Sequence, residues 1–182
     1  MSLLAISYPE LEPKDFDWIQ SIRAEHDELQ FELVKPHITL VFATEETGQS
    51  ELIDHVREVC EEALALRFVM RRAIVMKDHF GDYWYVLMVA AEGYSEIVKL
   101  HDQLYTGVLS CELRSDIPFI PHVTIGNSKD PQACATLADR LNAENLAIIG
   151  RISSIDIVTY ENNRIETICQ VELVAKRNVD TR

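Results

Sequence analysis

"KPHITL" at residues 35–40 and "IPHVTI" at residues 120–125 are one pattern written twice: proline, histidine, aliphatic, threonine, aliphatic. Proline averages only about 5% of residues, so its place before both histidines, with threonine at the same offset, is improbable by chance. In a strand, alternate side chains share a face. The pattern therefore predicts two short strands in which His37 and Thr39, and likewise His122 and Thr124, point one way. Ile38, Leu40, Val123 and Ile125 point the other way and hold them. Each copy is followed by a loop and a helix, which reads as an internal duplication.

Outward from these motifs, strands and helices alternate. "SLLAISY" (2–8) reads as a strand. Pro13 opens a helix with Asp15 and Asp17 in its first turn and Trp18, Ile19, Ile22 and Leu29 on one face. "HITLVF" is a strand rich in β-formers, and "ATEETGQS" (43–50) is a loop. Leu52, Val56, Val59 and Ala63 line a second helix. "LRFVMRRAIVM" and "YWYVLMVAA" read as neighbouring strands joined by "KDHFGD".

A third helical stripe runs from Tyr94 through Ile97, His101 and Leu104 to Val108. Asp130 caps a fourth helix with Pro131 at its first position. "RISSIDIVTY" and "RIETICQVELV" flank "ENN", a hairpin connection because asparagine tolerates left-handed backbone angles. No Pro/Gly/Ser-rich linker interrupts the chain, so residues 1–182 are expected to form a single α+β domain.

Bulk properties narrow the functional classes. The chain has 182 residues, is 47% apolar and carries a net charge of −13. That charge argues against a broad grip on duplex nucleic acid, which needs clustered Lys and Arg. It leaves room for a small anionic substrate in a locally basic pocket. No apolar run reaches the roughly 18 residues of a membrane span, and nothing at the N-terminus marks export. Cys60, Cys111, Cys134 and Cys169 are scattered without C-x-x-C spacing, which suggests reduced core thiols in a cytoplasm. Neither H-x-x-x-H nor H-x-H occurs, so no metal is expected, and Gly-rich phosphate loops and G-x-S-x-G turns are also missing from the sequence. No cofactor is expected.

Two histidines and two threonines suit general acid–base attack on a phosphodiester. Imidazole, with a pKa near 6.5, serves as base or acid at neutral pH. One neutral ring takes a proton from the attacking water or hydroxyl, and the other, protonated, donates to the departing ribose oxygen. Threonine hydroxyls and backbone N–H groups hold the non-bridging oxygens.

With two H-x-T-hydrophobic motifs 85 residues apart, the chain resembles the 2H phosphoesterase superfamily, which includes 2′-5′ RNA ligase-like proteins and cyclic phosphodiesterases. The resemblance implies a bilobal α+β fold: two pseudo-symmetric lobes, each an antiparallel sheet flanked by helices, with one motif on a central strand of each and a cleft between. It implies that His37 and His122 are the catalytic pair, with Thr39 and Thr124 positioning the phosphate. It also implies a metal-independent hydrolysis of 2′,3′-cyclic phosphates on RNA ends or small cyclic nucleotides, with ligase-like activity in reverse. The second motif departs from many bacterial members, which continue it with a basic residue where this chain has Gly126 and Asn127, with Lys129 further on.

Arg71 and Arg72 should alternate to opposite faces, so at most one serves a cleft, and Arg71 is taken as the substrate contact. Phe119 and Tyr85 are candidate base-stacking walls. Lys35 and Arg114 are weaker phosphate contacts, against a default of solvated charge. His101 reads as a structural residue on the apolar side of its helix, and His26 and His55 as polar-side or flanking. The expected partner is a cyclic nucleotide or short RNA end, bound by a cytoplasmic monomer. The competing reading is a binding module that holds a nucleotide in the same cleft without turnover.

Overall fold

The computed structural model describes residues 1–44 and 46–175; Glu45, inside the expected loop 43–50, lies outside them. Strands β1 (Ser2–Ser7) and β2 (Glu10–Leu11) precede helix α1 (Pro13–His26). Then come β3 (Ile38–Thr44), α2 (Gln49–Glu62), β4 (Leu66–Lys77), β5 (Trp84–Glu92), α3 (Tyr94–Leu104) and a single 3-10 turn at Gly107–Leu109. The chain continues through β6 (His122–Ser128), α4 (Pro131–Ala143), β7 (Ile148–Ile152), β8 (Ser154–Glu161) and β9 (Arg164–Glu172).

The strands form two antiparallel sheets, ordered β3-β1-β8-β9 and β2-β7-β4-β5-β6. Helix α2 packs on the first sheet, α1 and α4 pack on the second, and α3 touches both, against β3 on one side and β4 and β5 on the other. Each motif strand thus leads into a helix that covers its own sheet, and the halves repeat one plan. One apolar core, with Leu40, Val56, Phe68, Met88, Ile97 and Ile125 among its buried members, runs through both.

Local chemistry explains most boundaries. Pro13 sits in the first helical turn of α1, where its missing N–H costs nothing. Asp130 caps α4 by accepting from the Gln132 N–H at 2.9 Å. Asn162 and Asn163 take positive φ angles of 50° and 58°, as a two-residue hairpin turn requires.

The structure corrects several expectations. Helix α1 stops at His26, and Leu29 lies exposed in the following turn. "RISSIDIVTY" is not one strand: Arg151 and Ile152 end β7 in one sheet, and β8 starts at Ser154 in the other. Both pieces are β-rich, so the change of sheet at Ser153 left no break in the pattern. Only Cys60 and Cys134 are buried thiols; Cys111 is exposed and Cys169 half-buried. Both motif strands are edges of their sheets, not central strands. The two edges meet, which puts the histidines where the halves join. An edge strand leaves polar backbone to be satisfied. On β3, α3 does so: Leu40 O bonds His101 Nδ1 at 2.8 Å, and the Phe42 N–H donates to Tyr105 Oη at 3.0 Å.

Candidate active site

The two motifs are buried in the same rhythm. Pro36, Ile38 and Leu40 are buried while His37 and Thr39 are part-exposed; Pro121, Val123 and Ile125 are buried while His122 and Thr124 are part-exposed. The support of each ring repeats as well. His37 Nδ1 lies 2.9 Å from Lys35 O, and His122 Nδ1 lies 2.5 Å from Ile120 O, in each case the carbonyl two residues upstream. A carbonyl can only accept, so each ring carries its proton on Nδ1 when neutral. Nε2 is then the free lone pair of both rings, the atom that takes or returns a proton.

Although part-exposed, both rings sit deep among protein atoms, and desolvation dominates their acidity. Burial lowers His37 to about 4, against a smaller opposing effect of the Lys35 carbonyl; the His122 and Arg23 charges lower it further. Burial also lowers His122. The His122 charge acts on His37, in keeping with the contact between strands β3 and β6 that carry the two rings. A phosphate between them would reverse the shift, because an adjacent negative charge favours imidazolium.

Sheet register defines what else faces the histidines, since opposed residues of antiparallel strands project from the same side. On the first sheet Thr39, Ile6, Asp156 and Gln170 form one row, and Tyr8 packs edge-on to His37 with ring centroids 6.4 Å apart. On the second, His122 lies in a row with Val89 and Arg72, and Thr124 with Leu87 and Ile74. A register shift between Val86 and Leu87 then aligns Asn127 with Tyr85 and Met76 on that same face.

Beneath the motifs lies a buried network that sequence reasoning missed. Arg23 is 1% exposed and pairs with Asp27 at 2.9 Å. Its guanidinium also donates to Val34 O at 2.8 Å and Gln30 O at 3.1 Å, in the segment leading to His37. Asp27 accepts from the Gln30 N–H and from Asn127 Nδ2, five residues beyond His122. One ion pair therefore ties the approach to the first motif to the strand of the second. Its only sequence signal was polar residues interrupting apolar-flanked segments. A recess of about 280 Å³ opens beside the network, between the end of α1, β6 and the start of α4, lined by Asp27, Asn127, Cys134 and Leu137.

The other candidate residues separate. Tyr85 stands on the His122 face, half-buried, its hydroxyl pKa raised by burial and by nearby Asp78 and Asp27. Phe119 is stacked on His101 at 3.7 Å between centroids and 1° between planes, so one ring face is already filled from within. Arg71 pairs with Glu92 at 2.8 Å. A register irregularity between Met70 and Arg72 breaks the expected alternation, and both arginines are exposed. Arg114 is bound to Asp116 at 2.6 Å and lies over Phe80. Lys35 is exposed. His101 is buried, and so is His55, whose Nε2 lies 2.8 Å from Leu104 O; a polar-side placement for His55 is corrected. Among the described residues, no three His, Cys, Asp or Glu side chains converge as metal ligands, and no helix is long and apolar enough to cross a membrane.

Each of two like halves brings one histidine–threonine strand to the edge where the halves join. The chain belongs to the 2′-5′ RNA ligase superfamily, whose family model matches residues 9–164. It is 31% identical over 111 residues to a Bacillus licheniformis protein named as a candidate phosphoesterase, a match spanning 60% of this chain and 62% of that one. Among solved structures, a Thermus thermophilus protein superposes with a TM-score of 0.62 at 13% identity, over 97% of this chain and 100% of that one. Escherichia coli LigT in apo form gives 0.58 at 12% identity, over 95% of this chain and 97% of that one. LigT has also been crystallised with NADP+ and with 3′-AMP.

Proposed function

We propose that this protein hydrolyses 2′,3′-cyclic phosphates, on RNA ends or small nucleotides, by two-histidine acid–base catalysis. The observation that carries this reading is the matched pair of rings, each with Nδ1 held by an upstream carbonyl and Nε2 left free. Family membership supports the phosphoester class, and the NADP+ and 3′-AMP complexes of LigT support a phosphorylated nucleoside as the kind of ligand that the fold accommodates.

In this scheme the cyclic phosphate enters between His37 and His122. Its negative charge raises the pKa of both rings, and one becomes imidazolium. The neutral ring takes a proton from water through Nε2 as the water oxygen bonds to phosphorus. The imidazolium gives its Nε2 proton to the 2′ or 3′ ribose oxygen as that P–O bond breaks. Thr39 and Thr124, each two residues along the same strand face, donate to the non-bridging oxygens. Proton and charge are balanced by the two rings, so the step requires no metal. With a 5′-hydroxyl in place of water, its oxygen would bond to phosphorus as the same ribose P–O bond breaks, and the same groups would join two ends.

Incubation with 2′,3′-cyclic mononucleotides, cyclic-phosphate-ended oligonucleotides and ADP-ribose cyclic phosphate, with and without EDTA, tests the proposal. Ring opening of at least one class, undiminished by EDTA, is the expected result. Saturable binding with no product after long incubation would identify a binding module instead.

A further inference from the structure

Arg72 is a cation on the histidine face that the scheme above leaves unused. Register places it opposite Val89, which is opposite His122, so the three side chains project from one side of the sheet. Two strand spacings of roughly 4.8 Å separate the outer two backbones, a gap that an extended arginine side chain largely spans. Val89 between them is part-exposed, as is Ile74 in the next row, whereas Leu87 beside it is buried.

The charge pattern singles out this arginine. Arg67 and Arg71, on the same strand, both pair with Glu92, at 3.5 and 2.8 Å. Arg72 is exposed and has no carboxylate partner among the described residues. In a chain with 30 acidic and 17 basic side chains, an unpaired guanidinium beside the proposed catalytic pair is available to a ligand anion. Its planar fork fits phosphate oxygens two at a time.

We propose that Arg72 binds a second phosphoryl group, the one on the 5′ oxygen of the nucleoside whose cyclic phosphate lies between His37 and His122. This rests on the phosphoesterase reading. It narrows the substrate to a 5′-phosphorylated nucleoside 2′,3′-cyclic phosphate, with the ribose lying over the part-exposed Val89 and Ile74. The last nucleotide of an RNA chain and a free 5′-phosphorylated nucleotide present this same group.

The test compares adenosine 2′,3′-cyclic phosphate, its 5′-phosphate, and a dinucleotide ending in a cyclic phosphate, at low ionic strength because an exposed arginine is screened by salt. The wild-type kcat/KM is expected to be about tenfold or more higher for a 5′-phosphorylated substrate, as a charge-assisted contact implies. Which of the two is preferred identifies the source of the group. Arg72→Gln should bring the ratio to within about twofold of one, the loss falling on the 5′-phosphorylated substrates. Arg72→Lys should recover part of it. Arg67→Gln, which removes the same charge from the same strand, should keep the ratio.

Equal wild-type kcat/KM for all three, or equal losses in Arg72→Gln, would overturn the inference. Calorimetric binding of adenosine 3′,5′-bisphosphate against adenosine 3′-phosphate separates this from failure of the catalytic reading. A wild-type preference for the bisphosphate that Arg72→Gln erases supports Arg72 even without turnover. Equal affinity in the wild type, or equal weakening of both ligands in the variant, contradicts it.

Discussion

Asn127 Nδ2 donates to Asp27 Oδ1, joining the strand of the second motif to the end of α1 across 100 residues of sequence. Asp27 is also the only carboxylate paired with buried Arg23 among the described residues, and Arg23 holds the carbonyls of Gln30 and Val34 ahead of the first motif. The spacing of His37 and His122 thus depends on one buried charge pair as well as on the apolar core.

Removing Asp27 should be costly. Asp27→Ala leaves the Arg23 guanidinium buried without a counter-charge, which typically costs about 3–5 kcal/mol. Asp27→Asn retains acceptor capacity but not the charge and should fall between Asp27→Ala and wild type. Urea unfolding of the three proteins gives the order; equal midpoints would mean that the pair contributes nothing.

Acid should destabilise the fold through His37. The ring is held at about 4 in the folded protein, mainly by burial, and titrates near 6.5 when unfolded. Between those values the unfolded chain binds more protons, so stability is full above about pH 6.5 and falls as pH drops toward 4. His122, also lowered by burial, adds to the slope. His37→Gln should flatten part of it, as read from denaturation midpoints at several pH values. Saturating 3′-AMP should move both imidazole titrations upward in NMR; unmoved titrations would place the ligand elsewhere.

Gly126 fixes how closely α1 and α4 approach β6. A Cβ there would lie 2.9 Å from Leu137 Cδ2 and 3.2 Å from His26 O. Gly126→Ala should therefore cost about 1–3 kcal/mol by overpacking. Because Thr124 lies two residues before it on the same strand and Asn127 directly after it, turnover should fall with it. An unchanged melting temperature would show that α4 can yield at Leu137.

The motif strands were legible because their signal is local. Histidine and threonine at alternating positions, with buried aliphatics between, are read from five residues, and both strands show that burial. The edge position of β3 and β6 was not legible, because sheet order depends on pairings across the whole chain. Arg71 and Arg72 were misread for a related reason: alternation assumes regular pairing, and the irregularity at Met70–Arg72 belongs to the pairing of β4 with β5. Phe119 looked free because its partner, His101, arrives from another element. The Arg23–Asp27–Asn127 network likewise needs two distant segments brought together before it has any meaning.

The most direct test of the central claim is the initial rate of 2′,3′-cyclic phosphate ring opening by the wild type, His37→Ala and His122→Ala. A positioned acid or base contributes about 10²–10⁴-fold, so each variant should lose that much turnover while keeping the wild-type far-UV circular dichroism spectrum. Wild-type rates in both folded variants would contradict the assignment of these two rings as the acid–base pair.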